Sequence, residues 1–482
     1  MDMKQIFFTI CLILGVSSSA FSQDQKQWTL SECIDYALKN NISVKQSELD
    51  IDAADLNKSD AFWNFFPTLN GNISNTWNTG LTQNITTGVL QNQTTRNSSF
   101  GATAAVTLFN GLNNLRRFQR AKIAKLASKY SLGQIRNDIT LTVANQFLDI
   151  LINKERVDVL QKQNKVTQDQ IAQTQKQVDA GAVPEGELLQ IKATNADEQQ
   201  QIIQARNAVK IARISLAQTL LIKDYENFNI IDSKFTLPSK EILSKAPREI
   251  VQQAKEERYE IKIAQQDVEL SKKDVQLARG NYYPTLSAFI NYNTRESGAS
   301  RFGQGKLDPD SPTQVIGQVE SSGEAVVAPN FSTNSLSARP FFDQLSRNDG
   351  LGYGFQLRIP IFNGFSTRNS VKRNEINVKR SENQLEQAEL DLESNVYQAY
   401  VDAQGAAKSY EAAQAAVTSQ QKAFDYSQKR YDVGLINSLD FTQSKFRLTD
   451  AKNRLVQAKY NLIFNIKVLE LFFGVDPEDL KL

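Results

Sequence analysis

Between Thr68 and Trp77 the chain alternates, with Leu69, Gly71, Ile73, Asn75 and Trp77 on one parity and Thr68, Asn70, Asn72, Ser74 and Thr76 on the other. Alternation with period two predicts a strand with one apolar and one polar face. The same reading covers 99–109, where Phe100, Ala102, Ala104, Val106 and Leu108 oppose Ser99, Gly101, Thr103 and Thr107. It also covers 285–292, with Leu286, Ala288, Ile290 and Tyr292, and 351–362, with Leu351, Tyr353, Phe355, Leu357, Ile359 and Ile361. Segments of about ten residues with one apolar side match the strands of a membrane β-barrel. A soluble antiparallel sheet with one wet face looks the same strand by strand.

A second pattern fills most of the chain. Residues 111–180 and 364–433 hold no proline, and each is long enough to reach roughly 105 Å as one helix at 1.5 Å per residue. Apolar residues recur at Ile135, Ile139, Val143, Phe147 and Leu151, and again at Ala388, Leu392, Val396 and Tyr400, with polar residues on the remaining faces. That is a narrow seam, which buries enough surface only when several helices lie side by side. Each long helix is followed by a shorter return helix, at about 185–221 and 438–473.

These elements are written twice. Phe65-Phe66-Pro67-Thr68-Leu69 is echoed by Tyr282-Tyr283-Pro284-Thr285-Leu286, at an offset of 217 (284 − 67). Leu108-Phe109-Asn110-Gly111 is echoed by Ile361-Phe362-Asn363-Gly364, at an offset of 253 (364 − 111), which persists to Leu216 and Leu469. The two offsets differ by 36 (253 − 217), and the extra residues fall in the Gly- and Pro-rich stretch 293–350, expected as an irregular exposed loop. The first repeat spans 23–240 and the second 241–482. Four strands do not close a membrane barrel, whose smallest bacterial examples have about eight, so a barrel requires two, three or four copies of the chain.

Lys4, the apolar run from Ile6 to Val16 and the small residues Ser17–Ala20 predict a secretory signal over 1–22. No later run has the ~20 apolar residues of a spanning helix, so membrane insertion falls to the strands. The chain has no histidine, which removes imidazole bases and His-containing metal sites, and its two cysteines, Cys11 and Cys33, frame no disulfide scaffold. A formal charge of +2 leaves no footprint for nucleic acid. Gly305-Lys306 lacks the spacing and context of a phosphate loop. No metal, cofactor or catalytic residue is expected, and the chain does not read as an enzyme.

Order, spacing and duplication together make the chain resemble the TolC-like outer membrane efflux proteins of Gram-negative bacteria. The resemblance rests on the two Pro-Thr-Leu strand starts, the two Phe-Asn-Gly junctions, and the segments Val178-Asp179-Ala180-Gly181 and Tyr431-Asp432-Val433-Gly434-Leu435. It implies an α plus membrane β-barrel fold: a homotrimer whose 12-stranded barrel in the outer membrane continues into a long α-helical tunnel across the periplasm. It further implies a passive exit duct for efflux or type I secretion, joined through a periplasmic adaptor to an inner-membrane pump. The loops at about 78–98 and 293–350 would face outside, and residues 224–246 with the C-terminal end would band the tunnel. A secreted coiled-coil structural or adhesive protein is the alternative reading.

The resemblance gives roles to particular residues. Gly181 and Gly434 would end the long helices in the left-handed conformation, and with Ala182, Val183, Leu435 and Ile436 they would form the adaptor-docking tips. Glu187 and Asp440, in equivalent places just past the tips, would either form carboxylate rings at a pore constriction or stabilise the helix dipole. Gln190 and Gln443 stand where relatives often carry a second acid, which implies weaker selectivity. Phe65, Phe66, Tyr282, Tyr283, Phe109 and Phe362, with Phe62, Trp63 and Phe365, gather where strands meet helices, as a membrane-interface girdle or a packed collar.

Overall fold

The computed structural model describes residues 27–83, 89–231, 237–303, 305–332 and 335–475. The signal segment expected at 1–22 and the end of the chain beyond Val475 lie outside them. In chain order the elements are β1 (Gln27–Trp28), α1 (Leu30–Asn40), α2 (Ile42–Trp63), β2 (Thr68–Gln83), β3 (Leu90–Asn110), α3 (Asn113–Asp179), α4 (Glu185–Thr219) and β4 (Asn229–Ile230). Then come α5 (Pro247–Glu257), α6 (Tyr259–Gly280), β5 (Thr285–Ser297), β6 (Arg301–Phe302), β7 (Lys306–Leu307), β8 (Thr313–Gln318) and β9 (Ala325–Pro329). The last are β10 (Phe331–Ser332), β11 (Ser335–Leu336), α7 (Phe341–Arg347), β12 (Gly350–Arg358), α8 (Ser366–Asp432) and α9 (Ser438–Phe472). Among the described residues no helix is long and apolar enough to cross a membrane.

The chain divides into two compact units. One holds the described residues up to Asp55, with 123–270 and those from Val378 onward, and is helical. Its core repeats itself. Cys33, Ala37, Val143, Phe147, Ile150 and Leu216 are buried in one cluster, and Ile250, Ala254, Val396, Ala403 and Leu469 in another. Five of the six have buried counterparts at equivalent places in the second repeat, and Tyr400, the counterpart of Phe147, packs half-buried against that cluster, so the seam read from the sequence is the packing surface. Each Leu-, Val- or Phe-sized side chain removed from water there contributes about 1.5–3 kcal/mol. Entry into the first cluster is set locally: Thr29 caps α1, accepting from the Glu32 amide at 3.2 Å while the Glu32 carboxylate accepts from the Thr29 amide at 2.9 Å. Between the return helix α4 and α5, β4 pairs with β1 in parallel and Glu241–Ser244 forms a 3₁₀ turn.

The other unit, Leu56–Lys122 with Ser271–Asn377, is built on a four-stranded antiparallel sheet in the order β12-β5-β3-β2. Its strands run further than the alternation indicated. Residues 78–83 and 90–98, expected as loop, are strand, pairing from Asn78 opposite Thr95 to Gln83 opposite Leu90. Apart from Leu81 and Leu90, polar residues and Gly80 occupy both faces there, so the apolar parity that marks a strand fades while the hydrogen-bonded ladder continues. A β-bulge between Thr107 and Phe109 slips the β3–β5 register, so Phe109 rather than Leu108 lies opposite Leu286. In the second repeat the ladder ends at Arg358, because Pro360 follows and has no amide to donate, leaving Ile359, Ile361 and Phe362 outside the strand. Nor is 293–350 irregular. It carries the end of β5, the β8–β9 hairpin, the short ladders β10–β7 and β11–β6, and helix α7.

Candidate functional site

Register defines the two faces of the sheet. Leu69, Ala104, Ile290 and Tyr353 lie in line across the four strands, as do Gly71, Ala102, Tyr292 and Leu351. The other face lines up Asn70, Thr103, Asn291 and Gly352, then Asn72, Gly101, Asn293 and Gly350. Leu69, Ile73, Trp77, Tyr353 and Phe355 stand exposed on the apolar face. Among the described residues the outer edges of β2 and β12 pair with no strand. The apolar face is costly in water and the two open edges are still more costly in lipid, so the sheet as one chain is incomplete.

At the strand-to-helix junctions the repeated Phe-Asn-Gly segments share one local solution. Gly111 and Leu112 have φ of +66° each, and Gly364 and Phe365 have φ of +61° and +62°. Two successive left-handed residues reverse the chain at both junctions. The asparagines before them differ: Asn110 Oδ1 accepts from the Asn114 amide at 3.2 Å, whereas the Asn363 side-chain amide donates to the Thr367 hydroxyl. A side chain at Gly111 would collide with the Gly280 carbonyl and the Tyr283 side chain, which explains the residue there. Of the aromatics gathered here, Phe62, Trp63, Phe66 and Phe118 form one ring cluster, with Trp63 and Phe66 centroids 4.9 Å apart, and Phe362 packs edge-on against Phe365 at 5.7 Å. Phe65, Tyr282, Tyr283 and Phe109 make no ring contact among the described residues and are exposed.

At the far ends of the long helices, Gly181 and Gly434 have φ of +71° and +74°. The Ala182 amide reaches the Gln177 carbonyl at 2.8 Å and the Gly181 amide the Val178 carbonyl at 2.9 Å; Leu435 to Arg430 and Gly434 to Tyr431 repeat both bonds at 2.8 and 2.9 Å. These are paired Schellman closures. They leave Ala182 and Leu435 exposed, with Val183 and Ile436 half-buried. Asp440 sits in the first turn of α9, its amide capped by Asn437 at 2.8 Å, and Glu187 sits in the first turn of α4. Among the described residues neither carboxylate makes a hydrogen bond or ion pair. Gln190 and Gln443 are exposed one turn on.

Sequence reasoning missed what lies behind the tips. Tyr431 stacks on the buried Phe441 at 4.8 Å and 16°, and its hydroxyl lies 3.3 Å from Thr174 Oγ1, which ties α8, α9 and α3 together. Deeper, Lys445 on α9 pairs with Glu198 on α4 at 2.9 Å. Thr167 bonds to both, while Gln163 and Asn164 donate to the carboxylate at 2.9 and 3.1 Å. Burial by itself would raise the Glu198 pKa. Hydrogen bonds from Lys445 and Thr167, the Lys445 charge and the Asn164 bond outweigh it and hold the carboxyl below its ordinary range. The available signal was positional: Lys445 falls four residues after Phe441 and three before Leu448, on the apolar stripe of its helix.

The arrangement offers a two-faced sheet, long packed helices and closed helical tips. Comparison with known proteins agrees with that anatomy. The chain is 20% identical over 470 residues to the outer membrane protein TolC of Salmonella enteritidis, across 96% of this chain and 85% of that protein. Its fold matches the Campylobacter jejuni CmeC outer membrane channel with a TM-score of 0.73 at 16% identity, covering 94% of this chain and 87% of that one. It matches the outer membrane protein VceC of Vibrio cholerae with a TM-score of 0.70 at 15% identity, over 92% and 96%. The model of the family described as "Outer membrane efflux protein" matches residues 33–220 and 250–471. The reading as a secreted adhesive protein gives way to these matches, and the chain belongs to the outer membrane efflux protein family, whose place is the bacterial outer membrane.

Proposed function

We propose that three copies of this chain close a 12-stranded barrel in the outer membrane, continued by a helical tunnel into the periplasm. The observation that carries this reading is the four-stranded sheet with one apolar exposed face and two unpaired edges. Pairing β12 of one copy with β2 of the next removes every edge, turns Leu69, Ile73, Tyr353 and Phe355 to lipid and turns Asn70, Asn72, Asn291 and Gln356 to a wet lumen. Family membership supports three copies over two or four.

The duct conducts passively and carries out no chemistry; energy comes from an inner-membrane pump reached through a periplasmic adaptor. The exposed tips around Gly181 and Gly434 are the docking surface for that adaptor, within a tripartite efflux or type I secretion assembly. Glu187 and Asp440 form the carboxylate constriction just inside them. Purified protein inserted into a planar bilayer tests the reading: discrete conductance steps are expected, and a protein that never conducts overturns it.

A further inference from the structure

The apolar face of the sheet changes character at the end away from the strand-to-helix junctions. Trp77 lies opposite Arg96, Asn75 opposite Ser98, and Ser98 opposite Glu296, so Arg96, Ser98 and Glu296 share the parity of Leu69 and Tyr353. Glu296 is only 3% exposed. Arg96 Nη2 reaches it at 2.6 Å and the Ser98 hydroxyl donates at 3.1 Å. Helix α7 covers the group. Phe341 meets Phe100 edge-on at 6.0 Å and takes the Arg96 guanidinium 5.6 Å from its ring centre, while the Thr294 hydroxyl donates to the Leu345 carbonyl at 2.7 Å. The Gln344 side chain bonds the Ser297 backbone in both directions at 3.0 Å.

Register also gives the height of this clasp. From Leu69 to Trp77 is about 27 Å along the strand at ~3.4 Å per residue, and a tilt of ~35–45° makes that roughly 19–22 Å across the membrane, most of the ~25 Å of a barrel's apolar band. Trp77 therefore stands at the water–lipid boundary, the level where tryptophan concentrates, and α7 stands at the headgroups beside it. The side of α7 turned away from the sheet is both greasy and basic. Phe342 is 81% exposed, and Arg339 and Arg347 are exposed on either side of it. Arg301 joins them from β6, paired opposite Leu336. Arg347 bonds Asp343 at 2.8 Å, and that bond holds the Asp343 carboxyl below its ordinary range, with the charges of Arg347, Arg339 and Arg301 acting in the same direction. Arg347 alone is paired with that carboxylate, and the guanidiniums of Arg301 and Arg339 have no hydrogen bond or ion pair among the described residues.

We propose that Arg301, Arg339 and Arg347 form a binding site for the phosphorylated headgroup of an outer-leaflet glycolipid, with Phe342 set into its acyl region. Guanidinium forks match phosphate oxygens two at a time, an exposed phenyl ring costs less in acyl chains than in water, and the excess positive charge favours an anionic lipid over a neutral one. The inference uses the outer-membrane placement of the strands. A protein that forms the channel yet binds no such lipid overturns this inference alone.

The test is native mass spectrometry of the full chain in neutral detergent, mixed with diphosphorylated lipid A, with its dephosphorylated form, or with the former plus excess inorganic phosphate. The phosphorylated lipid is expected to be retained about tenfold better than the dephosphorylated one and to fall away as salt rises. The R301Q/R339Q variant leaves the Arg96–Glu296 clasp untouched and should lose that preference, whereas Arg380→Gln, on α8, should keep it. Equal retention of the two lipids, unchanged preference in the double variant, or displacement by inorganic phosphate beyond that caused by sodium chloride at the same ionic strength would each overturn the proposal. If the double variant fails to assemble, the preference of the unaltered protein and its salt dependence decide the matter.

Discussion

Lys445 Nζ lies 2.9 Å from Glu198 Oε1, and both side chains are almost wholly withdrawn from solvent. The pair joins α9 to α4, and Thr167 brings in α3, so three helices behind the tips share one buried polar knot. Buried pairs seldom add net stability over apolar packing, but breaking one is costly because the remaining charge has no partner.

Lys445→Met should therefore destabilise the helical unit by about 3–5 kcal/mol, while the K445M/E198L double variant recovers most of that loss. Denaturant-induced loss of the helical circular dichroism signal checks this. A double variant as unstable as the single one would show that the knot acts through something other than its charges.

The same knot gives a pH dependence. Glu198 has a folded pKa below its unfolded value of about 4.3, so its stabilisation is fully present above that value and is lost as pH falls through the folded pKa. The thermal midpoint of the helical unit should stay level from neutral pH down to about 5 and drop below about 4. Glu198→Gln should remove part of that drop. An unchanged acid limb in the variant contradicts the assignment.

Gly181 and Gly434 have positive φ, and a Cβ at either would meet nothing within 4 Å. Alanine there costs only backbone strain, about 1 kcal/mol. Faster amide hydrogen exchange at Ala182 and Leu435, whose bonds close the two turns, is the expected readout. Gly111→Ala should be far more damaging, because the same strain comes with collision against the Gly280 carbonyl and the Tyr283 side chain.

The duplication exposes an imbalance. Leu221 ends α4 with φ of +59°, and its equivalent after α9 is Gly474, with φ of +94°. Leu221 is partly exposed and closes its turn by backbone bonds alone, from Leu221 to Gln218 and from Ile222 to Ala217. Leu221→Gly should stabilise the first repeat by about 1 kcal/mol, visible as a raised thermal midpoint. A loss of stability would mean that the leucine side chain contributes more than its backbone strain costs.

In the assembled duct, Asp440→Asn should lower cation preference, read as a shifted reversal potential under a salt gradient across a bilayer. Unchanged potentials in both Asp440→Asn and Glu187→Gln would leave these carboxylates as helix-terminal charges only.

Much of this anatomy was legible in the sequence because it is periodic. The seam through Val143 and Phe147 and the parity of Leu69 and Ile73 are one-dimensional signals of one-dimensional elements. The outer halves of β2 and β3 were not legible: Asn, Thr and Gln on both faces give no parity, although the ladder needs only backbone groups. The bulge at Phe109 was hidden because a register slip depends on the partner strand. The Lys445–Glu198 knot and the Arg96–Glu296 clasp were invisible for a related reason. Their members lie far apart in the chain, and nothing in a lone lysine or glutamate says that it faces inward.

The central claim is that this chain is one part of a closed, membrane-embedded assembly. The most direct measurement is the subunit count of the particle extracted by mild detergent from isolated outer membranes. Three chains per particle is the predicted result. A soluble monomer or dimer absent from that membrane would contradict the account.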